Sequence, residues 1–155
     1  MLAVSLVATV PEHSQAAQAS PRNATIMKLI EIVRTEQAPK VRNLVAGNLP
    51  QLVEWGKPDS TSAAMIDEFA NLLGDRSDAV RANAASALGV IGRPAARTVP
   101  LLMQALRKAE AEYIHPGQLG PSSFSGDQIC MALEQIGSTP TEAHCRYGKY
   151  WGTAP

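Results

Sequence analysis

The stretch Asp78-Ala79-Val80-Arg81-Ala82-Asn83-Ala84-Ala85-Ser86-Ala87-Leu88-Gly89-Val90-Ile91-Gly92 decides how this chain is built. Val80, Ala84, Ala87, Leu88 and Ile91 recur at spacings of three and four, so they share one face of a helix. Asp78 suits the N-cap, where a carboxylate accepts the free amide hydrogens of the first turn. Gly92 suits the other end, where a glycine closes a helix without steric cost. The alanines remove bulk from the sides of this helix, so other helices can come close. Upstream, Met65, Phe69, Leu72 and Leu73 stand at i, i+4, i+7 and i+8, which predicts a second helix. Gly74-Asp75-Arg76-Ser77 breaks the run between them, giving helix, turn, helix.

The same unit recurs along the chain. Val41-Arg42 repeats Val80-Arg81 at an offset of 39, which sets Val45 on Ala84, Leu49 on Leu88 and Leu52 on Ile91. Ala87-Leu88 and Ile91-Gly92 return as Ala132-Leu133 and Ile136-Gly137 at an offset of 45. The third unit is thus six residues longer than the second. Its extra length falls in 111–126, where Pro116, Gly117, Gly120, Pro121 and three serines predict a loop. The first unit carries Pro50 where the second has Gly89, and a proline there is expected to bend or break the helix.

A period near 40 with two helices per unit resembles the HEAT-repeat family, especially its short bacterial form, which is also found in phycobilisome-lyase-like proteins. The residues that carry the resemblance are Asp78-Ala79-Val80-Arg81, Ala84-Ala85, Ala87-Leu88-Gly89, Ile91-Gly92, Ala95-Ala96, Val99-Pro100, Leu102 and Ala105-Leu106. The match implies an all-α fold, an α-solenoid of about three HEAT-type antiparallel helix pairs. The pairs are expected at about 24–56, 62–92 and 95–137, followed by a tail, 138–155, that caps the last one. Arg42 and Arg81 resemble the family arginine that pairs with acids between repeats, with Asp75 and Asp78 as the acids. Pro100 falls near the start of a first helix, where the family tolerates it.

Composition narrows the function. Lys plus Arg and Asp plus Glu are equal at 14 each, so no overall field draws in nucleic acid or an anionic membrane. No phosphate loop, H-E-x-x-H or G-x-S-x-G is present, and His13, His115 and His144 stand near no patterned acid or nucleophile. The reading is therefore not an enzyme, and no cofactor is implied. Zinc is not expected either: His144-Cys145 is an awkward ligand pair and there is no C-x-x-C. If the chain is exported, a Cys130–Cys145 disulfide is the more natural reading, and the alternative is two free thiols, Cys130 on the helix and Cys145 in the tail. Gly137 to Pro140 make a turn, and the residues from Pro140 to Cys145 are long enough to return beside the final helix. Arg146-Tyr147-Gly148-Lys149-Tyr150-Trp151 interleaves bases with aromatics, read first as part of the cap and second as a weak nucleic-acid contact.

The N-terminus reads in two ways. Leu2 to Val10 is apolar but too short to span a bilayer, so no membrane span is expected. With Ala17-Gln18-Ala19 behind it, 1–19 has the layout of a signal peptide without its basic start, and implies an exported protein. The other reading is an apolar N-terminal segment that packs on the first repeat.

What remains is a protein-binding scaffold or adaptor whose partner is another protein. The family resemblance implies that second helices line a concave face and receive it. Applying the two offsets nominates Asn43, Gly47 and Pro50 in the first unit. Ala82, Ser86 and Gly89 follow in the second, and Asp127, Met131 and Glu134 in the third. A bilin lyase or chaperone-lyase role is the rival implied by the phycobilisome-related members, and would need an apolar cleft with anchoring arginines.

Overall fold

The computed structural model describes residues 20–56, 62–113, 124–138 and 145. The expected signal peptide, the aromatic tail from 146 onward and all three histidines lie outside these. The described residues form helices and no strands: α1 Pro21–Thr35, α2 Pro39–Trp55, α3 Ala63–Leu72, α4 Asp78–Ile91, α5 Val99–Tyr113 and α6 Phe124–Ile136, with a 3-10 helix, Arg93–Thr98, leading into α5. Three helix pairs result, α1 with α2, α3 with α4, and α5 with α6. This is the all-α solenoid that the repeat predicts.

Local chemistry sets the ends. Ser20 and Ser62 cap α1 and α3, their hydroxyls accepting from the amides of Asn23 and Met65. Prolines open α2 and the 3-10 helix, where a missing amide hydrogen costs nothing. Gly92 and Gly137 end α4 and α6 at φ of 73° and 90°, a backbone region that penalises any side chain. Pro100 sits in the first turn of α5. Pro50 does not break α2, which continues to Trp55.

Two other details differ from the expectation. Ser77, not Asp78, is the N-cap of α4, so the Asp78 carboxylate is free for other donors. The expected loop 111–126 is shorter at both ends: Ala111–Tyr113 continue α5 and Phe124–Gly126 begin α6, leaving 114–123 outside the described residues.

The core is aliphatic and continuous. Ile26, Ile30 and Val33 of α1 meet Leu49 and Val53 of α2, and the series runs through Met65, Phe69 and Leu88 to Leu102, Leu106, Ile129 and Leu133. Each of these is almost fully removed from water, and burying a large aliphatic side chain contributes about 1.5–3 kcal/mol. The second helices α2, α4 and α6 pack along one another more extensively than α1, α3 and α5 do. A stack whose second helices are close and whose first helices are splayed curves with the second helices inside.

Candidate interaction face

The inner layer is built around α4. One side of it packs on α3, and its two flanks pack on α2 and α6. Val80, Ala84, Ala87 and Ile91 lie on the α2 side, while Ala85 and Gly89 lie on the α6 side, all buried. Gly89 is the closest approach: a Cβ placed there would stand 2.9 Å from the Ala132 Cα. Arg81 and Leu88 point into the layer between. Apart from Asp78 in the first turn, what is left is a single stripe, Ala79, Asn83, Ser86 and Val90, each partly exposed.

The offsets carry that stripe to its neighbours. On α2 it becomes Lys40, Leu44, Gly47 and Gln51, all exposed, with Leu44 at 71%. On α6 it includes Gln128, Met131 and Gln135, with Met131 at 51% exposure. The three rows form one surface. Its centre is Gly47, Ser86 and Met131, where side chains are small or flexible. Leu44, Val90 and Met131 give apolar contact, and Asn83, Gln51, Gln128 and Gln135 give amides. Lys40 is the single charged residue in these rows. Asn83 already spends a donor within its own helix, on the Ala79 carbonyl at 2.8 Å.

The nine sequence-nominated positions divide on this geometry. Gly47, Ser86 and Met131 occupy the middle of the free face. Asn43 and Pro50 are rotated toward α4, and Asn43 Oδ1 accepts a hydrogen bond from the Ser77 hydroxyl at 2.7 Å. Ala82 and Gly89 are not on a free surface at all: both are buried at the α4–α6 contact. Asp127 and Glu134 take the equivalent rotation on α6, on the side beyond which no described helix packs. The error has one cause. A helix in the middle of a stack is buried on three sides, and the small residues that permit close packing look like solvent positions when only one apolar face is sought. Leu44 and Val90 show the converse: apolar residues that read as core positions and stand on the open stripe.

The arginines sit behind this face and tie the units together. Arg42 donates from Nε to the Val33 carbonyl at 2.9 Å and from Nη2 to Asp75. Arg81 donates to the Asp75 carbonyl at 3.0 Å, to Asp78 at 3.0 Å and to Glu112 at 2.6 Å. Asp78 also accepts from the Ser125 hydroxyl, linking α4 to α6. Each arginine therefore reaches into the unit that follows it. Glu112 was not legible in sequence, because no repeat spacing points to it. Among the described residues no group of three or more metal-ligating side chains occurs, and no helix is long and apolar enough to cross a membrane.

Cys130 and Cys145 are brought to disulfide geometry, with Cα atoms 5.7 Å apart and both side chains against the core. Cys130 stands at the α6 position equivalent to Ala85, the flank on which α4 receives its next helix. Cys145 thus packs against the core beside the last helix of the stack.

Comparison with known proteins agrees with this construction. Neither a curated protein nor a solved structure matches the chain. The family model described as HEAT repeats matches residues 26–115, more than half of the sequence. With the paired helices, the inner layer and the inter-unit arginines in place, the chain belongs to the HEAT-repeat family.

Proposed function

We propose that this protein is a non-catalytic scaffold that holds a segment of another protein against the inner face of α2, α4 and α6. The observation that carries this reading is the stripe on α4. Beyond Asp78 in its first turn, the most enclosed helix of the stack leaves Ala79, Asn83, Ser86 and Val90 open, flanked by the exposed Leu44 and Met131. Small residues at the centre let a partner backbone approach. Side-chain amides on both sides can bond a peptide group without the desolvation cost that a charge carries. The near-absence of charge in these rows disfavours a phosphate backbone, which needs clustered bases. It also gives no anchoring arginine for a bilin carboxylate.

The test is capture from the native source with the full chain, its Ser86→Arg variant, and a Gln104→Arg control on the exposed outer side of α5. Ser86→Arg fills the centre of the face without entering the core. A partner retained by the parent and the control, and reduced at least about tenfold by Ser86→Arg, carries the proposal; a loss of that size is about 1.4 kcal/mol. Equal recovery in all three places the binding surface elsewhere.

A further inference from the structure

Three of the six large apolar side chains that stay exposed among the described residues lie on one helix, α2. They are Val41 at 43%, Leu44 at 71% and Trp55 at 63%. Scattered singly, such residues are ordinary surface. These are not scattered. With the exposed Asn48 they follow one another at steps of three, four and seven residues, so the four form one stripe along the helix. Val45 and Leu52 lie beside the stripe, are packed against the core, and take no part in it. By the repeat offset, Val41 and Asn48 are the counterparts of Val80 and Ala87, which are buried where α4 meets α2. No described helix covers them on α2.

The stripe is self-complementary. Its apolar members stand toward the two ends of α2, Val41 and Leu44 at the start and Trp55 at the close, with Asn48 between them. A second copy laid antiparallel about a two-fold axis at Asn48 sets Val41 against the second copy's Trp55, and does so twice. A two-fold contact needs the same patch on both copies, and α2 supplies it. Asn48 then meets its own twin. Its Nδ2 donates one hydrogen to the Leu44 carbonyl at 2.8 Å. The other amide hydrogen and the Oδ1 acceptor remain for the twin amide, which can answer both. An asparagine in an otherwise apolar helix seam is a device that fixes register and copy number.

Charge selects the same orientation. Lys40 and Glu54 stand at opposite ends of α2, both exposed and on the same side of the stripe. Antiparallel pairing about Asn48 brings each lysine beside the other copy's glutamate. Parallel pairing would set lysine beside lysine and glutamate beside glutamate. The area is modest, since α2 has 17 residues and is about 25 Å long. One helix face of that length buries less than the roughly 800 Å² per partner of a standard interface, so the pairing is reversible, with a dissociation constant on the order of tens of micromolar.

We infer that two copies of this chain pair through the exposed stripe of α2, antiparallel about Asn48, with Val41 against Trp55 and Lys40 beside Glu54 across the axis. The pairing goes beyond the scaffold reading and needs no captured protein. It leaves Ser86 and Met131 open, and it puts two inner faces on one particle.

Analytical ultracentrifugation of the pure full chain, from about 1 µM to about 300 µM, spans the expected constant. The average mass is expected to rise from 16.5 kDa toward twice that value and to stop there. Trp55→Ser removes the largest apolar contact, and Asn48→Asp sets two like charges on the axis. Each is expected to raise the dissociation constant at least about tenfold. Both positions are exposed, so the circular dichroism and melting temperature of these variants should stay at parent values. Lys40→Glu is expected to weaken pairing roughly fivefold, and Lys40→Glu combined with Glu54→Lys to restore it. Ser86→Arg should pair like the parent, which separates this result from the fate of the scaffold reading. A monomer at every concentration would overturn the inference, whether another segment of the chain covers the stripe or nothing does. So would a mass that climbs past the dimer, pairing that survives both Asn48→Asp and Trp55→Ser, a charge exchange that fails to restore it, or its loss in Ser86→Arg.

Discussion

Gly47 and Gly89 sit in equivalent helices and have opposite reasons to be glycine. Gly47 is exposed in the middle of α2, and a Cβ there would meet nothing within 4 Å. Its cost is the entropy of a flexible backbone, so Gly47→Ala is expected to stabilise the fold by about 0.5–1 kcal/mol. Gly89 touches α6. A Cβ there would lie 2.2 Å from the Gln135 Oε1 and 2.9 Å from the Ala132 Cα. The glutamine can swing away, but the Ala132 backbone cannot move without shifting α6. Overpacking of this kind costs about 1–3 kcal/mol and outweighs the helix-propensity gain of about 1 kcal/mol. Gly89→Ala is therefore expected to destabilise. Urea titrations of the two variants check both signs, and a stabilised Gly89→Ala protein would mean that α4 and α6 are looser than this contact requires. Sequence alone does not separate the two glycines. Both stand one turn from an apolar position, and only the placement of Ala132 shows that one of them is enclosed.

Within and between elements, the helices were legible because their apolar periodicity is strong and their ends carry glycine or a change of pattern. The connections were less so. Pro50 predicted a break that α2 does not show, because a proline removes a single hydrogen bond and tertiary packing holds the rest of the helix. Asp78 looked like a cap and instead serves Arg81 and Ser125, since Ser77 stands one residue earlier. Exposure was legible at Gly47 and Met131, whereas Ala82 and Gly89, a fraction of a turn from the open stripe of α4, are buried. Arg42 is the element-scale contact with the clearest energetic consequence. Its side chain is 5% exposed and its partner Asp75 is 11% exposed. It also satisfies the Val33 carbonyl, one of the last-turn acceptors that α1 cannot satisfy internally. Removing one partner of a buried pair leaves the other charge poorly solvated, at a cost of about 3–5 kcal/mol. Arg42→Ala is expected near the lower figure, because Asp75 keeps the Ser77 amide as a donor. Arg42→Lys is expected to lose roughly half as much, since one ammonium cannot repeat the fork of a guanidinium. Equal stability of Arg42→Ala and the parent in chemical denaturation would show that the pair contributes nothing. By contrast, the outer pairs Arg34–Glu68 and Arg97–Asp67 each have an arginine about half exposed and are worth about 0–1 kcal/mol.

At the scale of the whole molecule, a repeat stack is held by contacts between neighbours, so its ends govern how it opens. At the C-terminal end α6 packs on α4 and α5 and has no described helix beyond it. Cys145 returns to Cys130 on that side, closing a separation of 15 residues. A cross-link over a loop of this length contributes about 3 kcal/mol in the chain-entropy account, provided the surroundings are oxidising enough to form it. The consequence is local, because α1 and α2 share no contact surface with the bridge and feel it only through α4. Reduction is therefore expected to raise hydrogen exchange in α6 first, by an order of magnitude or more, while the amides of α1 and α2 keep their rates until the whole stack melts. Cys145→Ser should reproduce the pattern without reductant, and adding reductant to that variant should change nothing further. Peptide mapping of air-oxidised protein under non-reducing conditions checks the premise, where the pair should appear as one linked peptide. Two freely alkylated cysteines would remove the bridge from the account. A uniform rise in exchange along all six helices would instead show that the three units open as one body, with the end of the stack no weaker than its middle.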